Sequence, residues 1–64
     1  MNDDIWTWVM HTVNGQTRPI GPYRAENAAG NRRDACRGGE AVLFKSFSSD
    51  PTVALDEFKV ESIL

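Results

Sequence analysis

The dipeptide Asn14-Gly15 separates two runs that read as strands. Both residues tolerate positive φ, which the type I′ turn of a two-residue hairpin requires, so this pair sets the register of whatever flanks it. Upstream, Ile5 to Val13 is rich in β-branched and aromatic residues and predicts a strand. Trp6, Trp8, Met10 and Thr12 fall on one side of it, and Ile5, Thr7, Val9, His11 and Val13 on the other. Both sides are partly apolar, which suits a central strand or a strand with one side held for a partner. Downstream, Gln16 to Ile20 predicts a shorter return strand. Pro19 cannot donate a ladder hydrogen bond, which places that strand at a sheet edge.

Gly21-Pro22 reads as the close of the hairpin, with Pro22 suited to the first position of a helix. The pattern from Tyr23 to Arg37 is helical, with Ala25, Ala28, Ala29, Arg32 and Cys36 on one side. Such small residues let a helix approach a sheet closely while burying little area. Asn27, Gly30 and Asn31 lower its propensity, and Gly38-Gly39 is expected to end it with an αL cap. Glu40 to Ser48 predicts a third strand. Ser49 or Asp50 suits an N-cap and Pro51 the first turn of a second helix over Thr52 to Lys59, with Ala54, Leu55 and Phe58 on one side. The tail, residues 60–64, fits an extension of that helix or a short strand, and its Val, Ile and Ser lean towards the strand. The order β-β-α-β-α, with an optional C-terminal strand, implies an α+β fold: a small antiparallel sheet with helices packed on one face. No repeat or linker interrupts it, so residues 1–64 read as a single domain.

At 64 residues the chain buries only ~60% of the surface it exposes when unfolded. Small domains usually compensate with disulfides, a metal or a partner chain. Cys36 is the only cysteine and His11 the only histidine. That excludes an intramolecular disulfide and falls short of the roughly four Cys or His ligands of a structural zinc site. No metal and no cofactor is implied. The fold is expected to rest on its apolar core, with self-association through the edge strand Gln16 to Ile20 as a further support. A net charge of −2 gives no global attraction to nucleic acid or anionic membrane. No apolar run is long enough to span a bilayer, and the acidic start Met1-Asn2-Asp3-Asp4 lacks the basic and apolar parts of a signal peptide. With a free cysteine, this points to a reducing cytoplasm.

Catalysis has little to stand on. His11 has no second histidine and no carboxylate two residues away to orient it. Cys36, Ser46, Ser48 and Ser49 are the available nucleophiles, and none sits in a nucleophile motif. Cys36 reads as a small buried hydrophobe, and Gly38-Gly39 lacks the Lys-Ser/Thr that follows in a phosphate loop. Asp50 reads as a cap, and Asp56, Glu57 and Glu61 as a solvated helix face. The chain is therefore expected not to be an enzyme.

Two features point to binding. Arg18, Arg24, Arg32, Arg33 and Arg37 lie between residues 16 and 39, opposed there only by Glu26 and Asp34. All are Arg, which suits planar, bidentate contacts to phosphate or carboxylate. The alternative is a solvated surface with local ion pairs. Trp6 and Trp8 form either the core beneath the helices or an exposed platform for bases or a protein. Met10, on the same side, favours the core.

Gly21-Pro22-Tyr23 after the hairpin, then Phe44-Lys45-Ser46-Phe47 ahead of Ala54-Leu55-Asp56-Glu57-Phe58, resembles the N-terminal hybrid-binding domain of ribonucleases H and the related viroplasmin module. In that family Gly-Ile-Tyr follows the hairpin, and Lys-x-Phe precedes a final Glu-Ala-x-x-Phe helix. The likeness covers residues 5 to 58 at a handful of positions. It implies a three-stranded antiparallel sheet with two helices. If function follows, Tyr23, Lys45 and Phe47 are the positions near the bound backbone. The family's Trp-x-Glu-Cys helix start is replaced here by Arg24-Ala25-Glu26-Asn27-Ala28, and the chain is acidic where the family is basic. The leading expectation is a non-catalytic protein-binding or regulatory module, of the kind phages and plasmids encode to modulate a larger protein. The alternative is a nucleic-acid module that holds a duplex or RNA–DNA hybrid with the Arg-rich segment 18–37.

Overall fold

A computed structural model describes residues 4–63; the acidic start Met1 to Asp3 and the terminal Leu64 lie outside the described residues. Three strands, β1 (Trp6–Val13), β2 (Gln16–Tyr23) and β3 (Glu40–Ser46), and two helices, α1 (Glu26–Asp34) and α2 (Pro51–Ile63), follow the order β-β-α-β-α. The strands make one antiparallel sheet in the order β2-β1-β3, giving a small α+β fold.

The hairpin forms where Asn14-Gly15 places it. Asn14 has φ 54° and Gly15 φ 79°, and Val13 pairs with Gln16 across the turn. β2 is an edge strand, as Pro19 requires, but it does not stop at Ile20. Its register slips by one residue between Ile20 and Tyr23 opposite Val9 and Thr7, a bulge that contains Gly21 and Pro22. Pro22 is therefore a strand residue joined to Gly21 by a cis peptide and does not begin a helix.

Helix α1 is correspondingly shorter than its pattern. Ala25 is still extended and offers no side-chain cap, and the last helical residue is Asp34. Gly38-Gly39 lies beyond the helix end, so it turns the chain into β3 instead of capping α1. Gly39 is needed there because a Cβ would overlap the Thr12 carbonyl oxygen at the end of β1. Helix α2 begins as expected: Asp50 Oδ1 accepts the Thr52 backbone N–H at 2.8 Å, with Pro51 in the first turn. It runs on to Ile63, so the tail is helix as far as residue 63, and no C-terminal strand forms among the described residues. Strand preference measures fit to a half-buried pleated surface. Residues 60–62 are exposed and have no such surface to pack on.

The two helices cover opposite faces of the sheet, which corrects the expectation of one covered face. Neighbouring residues of a strand point to opposite sides. Lys45 reaches Glu26 of α1, with Nζ to Oε1 at 3.2 Å, while the Ser46 hydroxyl donates to the Glu57 carboxylate of α2. β1 is apolar on both sides, and each side takes its own cover. Under α2, Trp8 and Met10 pack with Ala54, flanked by Trp6, Val42, Phe44, Leu55 and Phe58. Phe44 and Phe58 meet edge to face, with centroids 5.4 Å apart. Under α1, Val9 and Ala29 are fully buried. Each large side chain in this core stabilises by about 1.5–3 kcal/mol.

Candidate protein-binding surface

The connection from β3 to α2 builds the surface. Trp8 Nε1 donates to the Ser48 carbonyl at 3.1 Å, and the Ser48 N–H donates to Ser46 Oγ at 3.0 Å. The Asp50 N–H donates to Ser48 Oγ at 3.0 Å. These bonds fix the path of residues 46–50 from both sides. The Phe47 side chain, between two tethered serines, is left 71% exposed.

It lies beside the flank of α2 that faces away from Ala54, Leu55 and Phe58. Val53 and Val60 stand seven residues apart on that flank, at 43% and 58% exposure. Phe47, Val53 and Val60 line one open groove of about 540 Å³ together with Asp56, Glu57 and Glu61. Lys45 is the single cation at the groove, and Glu26 already holds it. The groove is thus lined by both apolar and acidic side chains.

The binding residues singled out from the sequence lie elsewhere, apart from Lys45 and Phe47. Trp8 is 1% exposed and cannot be a platform. Trp6 is half-buried, and the Arg24 guanidinium sits 4.4 Å from its ring centroid while pairing with Asp4 at 3.6 Å. Arg33 pairs with Asp34 at 3.3 Å. Arg32 donates to the Cys36 sulfur at 3.7 Å, and the half-buried Cys36 thiol contacts the Arg32 carbonyl. Among the described residues, Arg18, Arg32 and Arg37 have no carboxylate partner. The arginines do not share one surface. Arg18 pairs across from His11 near the hairpin, Arg24 covers Trp6 at the other end of β1, and the rest follow α1 and its exit.

Tyr23 and Lys45 both pair with Thr7, so these two form one cross-strand row, and Phe47 lies just beyond the end of β3, on the groove that Lys45 also lines. His11 Nε2 donates to the Gly38 carbonyl at 2.9 Å and ties the α1–β3 loop to the sheet. Among the described residues no group of three His, Cys, Asp or Glu is placed to hold a metal, and no helix is long and apolar enough to cross a membrane. Val53 and Val60 escape a sequence reading that ends α2 at Lys59. Their spacing of seven emerges once the helix is known to reach residue 63. Comparison with family models, curated proteins and solved structures finds no match to this chain.

Proposed function

We propose that this chain is a non-catalytic protein-binding module whose partner presents an apolar segment bearing Lys or Arg. The observation that carries this reading is the convergence of three exposed apolar side chains, Phe47, Val53 and Val60, among Asp56, Glu57 and Glu61. Apolar surface gathered in one place marks an interface more than scattered exposure does. Phe47 is the anchor, because large exposed aromatics carry most of the energy in such contacts. The carboxylates contribute specificity and association rate, and they disfavour nucleic acid at this surface. A modulator acting on a larger cytoplasmic protein fits a chain that offers such a surface.

The test is an NMR titration of labelled protein with a Lys-bearing amphipathic peptide and its Glu-bearing counterpart. Shifts are expected at Ser46, Phe47, Val53, Glu57 and Val60 with the first peptide only. Phe47→Ala is expected to weaken binding by about tenfold or more. Shifts on α1, or equal response to both peptides, would sink the reading.

A second reading draws on Arg18, Arg32 and Arg37, which lack carboxylate partners among the described residues. It is a duplex or hybrid binder of the kind the ribonuclease H resemblance implies, with Tyr23 and Lys45 beside the backbone. It predicts affinity that falls steeply with salt. Absence of any complex at low salt removes it.

A further inference from the structure

The two edges of the sheet are not alike. Neither β2 nor β3 has an outer partner among the described residues. A two-residue turn makes Val13 and Gln16 a hydrogen-bonded pair, so His11 with Arg18 and Val9 with Ile20 are hydrogen-bonded pairs too. The alternate residues of β1 then bond to β3: Trp8 to Phe44, Met10 to Val42, Thr12 to Glu40. The backbone groups left over point outward. On β2 they belong to Thr17 and Pro19, and on β3 to Ala41, Leu43 and Lys45.

Pro19 therefore removes a donor from an outward position, and the bulge after Ile20 disturbs the same edge. The edge expected from the sequence to associate, Gln16 to Ile20, is the blunted one. β3 keeps every outward donor and acceptor. Its one guard is Lys45, since a charged edge residue discourages pairing. That charge is matched within the chain by Glu26.

We infer that the occupant of the β3 edge is a second copy of this chain, paired antiparallel about a two-fold axis at Leu43. In this register Leu43 faces Leu43 and Ala41 faces Lys45, each pair exchanging two N–H···O bonds. Val42 faces Phe44 between them, and no like charges oppose. A slip of two residues either way sets an outward position against Gly39 or Phe47, outside the strand. A slip of one turns the side chains to the wrong faces. The interface is isologous, as a two-fold contact must be. It covers Val42, Leu43 and Phe44, which are only half-buried in a single chain. It also enlarges a thin core: among the described residues the buried apolar side chains are Trp8, Val9, Met10, Ala29 and Ala54.

Sedimentation or light scattering of the full chain over a concentration series is expected to reach twice the single-chain mass. Ala41→Pro removes an outward donor and spares the β1 ladder, as Pro19 does on β2. It is expected to give the single-chain mass with an unchanged circular dichroism spectrum. A single-chain mass for the unaltered protein at every concentration overturns the inference, and so does a dimer that persists in folded Ala41→Pro. A cross-linking arm stands if that variant fails to fold. In a Cys36→Ser background, Leu43→Cys is expected to join into pairs with a short bis-maleimide, and Arg18→Cys is not. The reverse pattern overturns the inference.

Discussion

Trp6 and Trp8 share one side of β1, and their separation by two residues makes them look like a unit. The structure gives them different work. Trp8 lies at the centre of the sheet, and its indole N–H finds a carbonyl forty positions along the chain. Trp6 lies at the strand end, where Arg24 can reach over its ring. The side of the strand was legible in the sequence, but distance from the strand end, which decides burial, depends on how far the neighbouring strands extend. Acrylamide should barely quench the emission of a Trp6→Phe variant, whose only indole is Trp8. Trp8→Phe should cost about 1–3 kcal/mol in a urea titration, through lost volume and an unpaired Ser48 carbonyl. At the other end of β1, Gly39→Ala should destabilise by at least about 1–3 kcal/mol, because it adds overlap with Thr12 to an unfavourable backbone angle. Its readout is the melting temperature.

Local chemistry governed the elements unequally. Asn14-Gly15 and Asp50-Pro51 specify their turn and cap through side chains and φ angles contained in the motif itself, and both stand where the sequence places them. Asp50→Ala should cost about 1 kcal/mol, measured by chemical denaturation. Helix α1 reads as longer than it is, because its alanine spacing continues into residues the bulged end of β2 and the Gly38-Gly39 turn have already claimed. Its Gly30 has no neighbouring atom closer than 4.0 Å to an added Cβ. Gly30→Ala should therefore raise stability by about 0.5–1 kcal/mol, seen as a higher melting temperature. Helix α2 errs in the other direction: a preference for strand in Val60 and Ser62 has force only where a sheet is available to receive them.

For the molecule as a whole, the placement of the helices was encoded but easily misread. Two partly apolar sides on β1 already demand two covers, and the small residues of α1 and the larger ones of α2 supply them. The arginine cluster is compact in sequence and divided in space, since Arg24 lies over Trp6 at one end of β1 while Arg18 pairs across from His11 near the other. The acidic groove is the converse, because Phe47 joins Val53 and Val60 only when the β3–α2 connection folds back. Pro19 has a consequence for stoichiometry. A sheet with one open edge stops growing once that edge is filled, whereas two open edges propagate without limit. Restoring the missing donor with Pro19→Thr should convert a bounded assembly into a polymer, detected as turbidity that rises with concentration. A single imino acid on β2 would then act as the chain terminator of a fibre that the opposite strand is able to start.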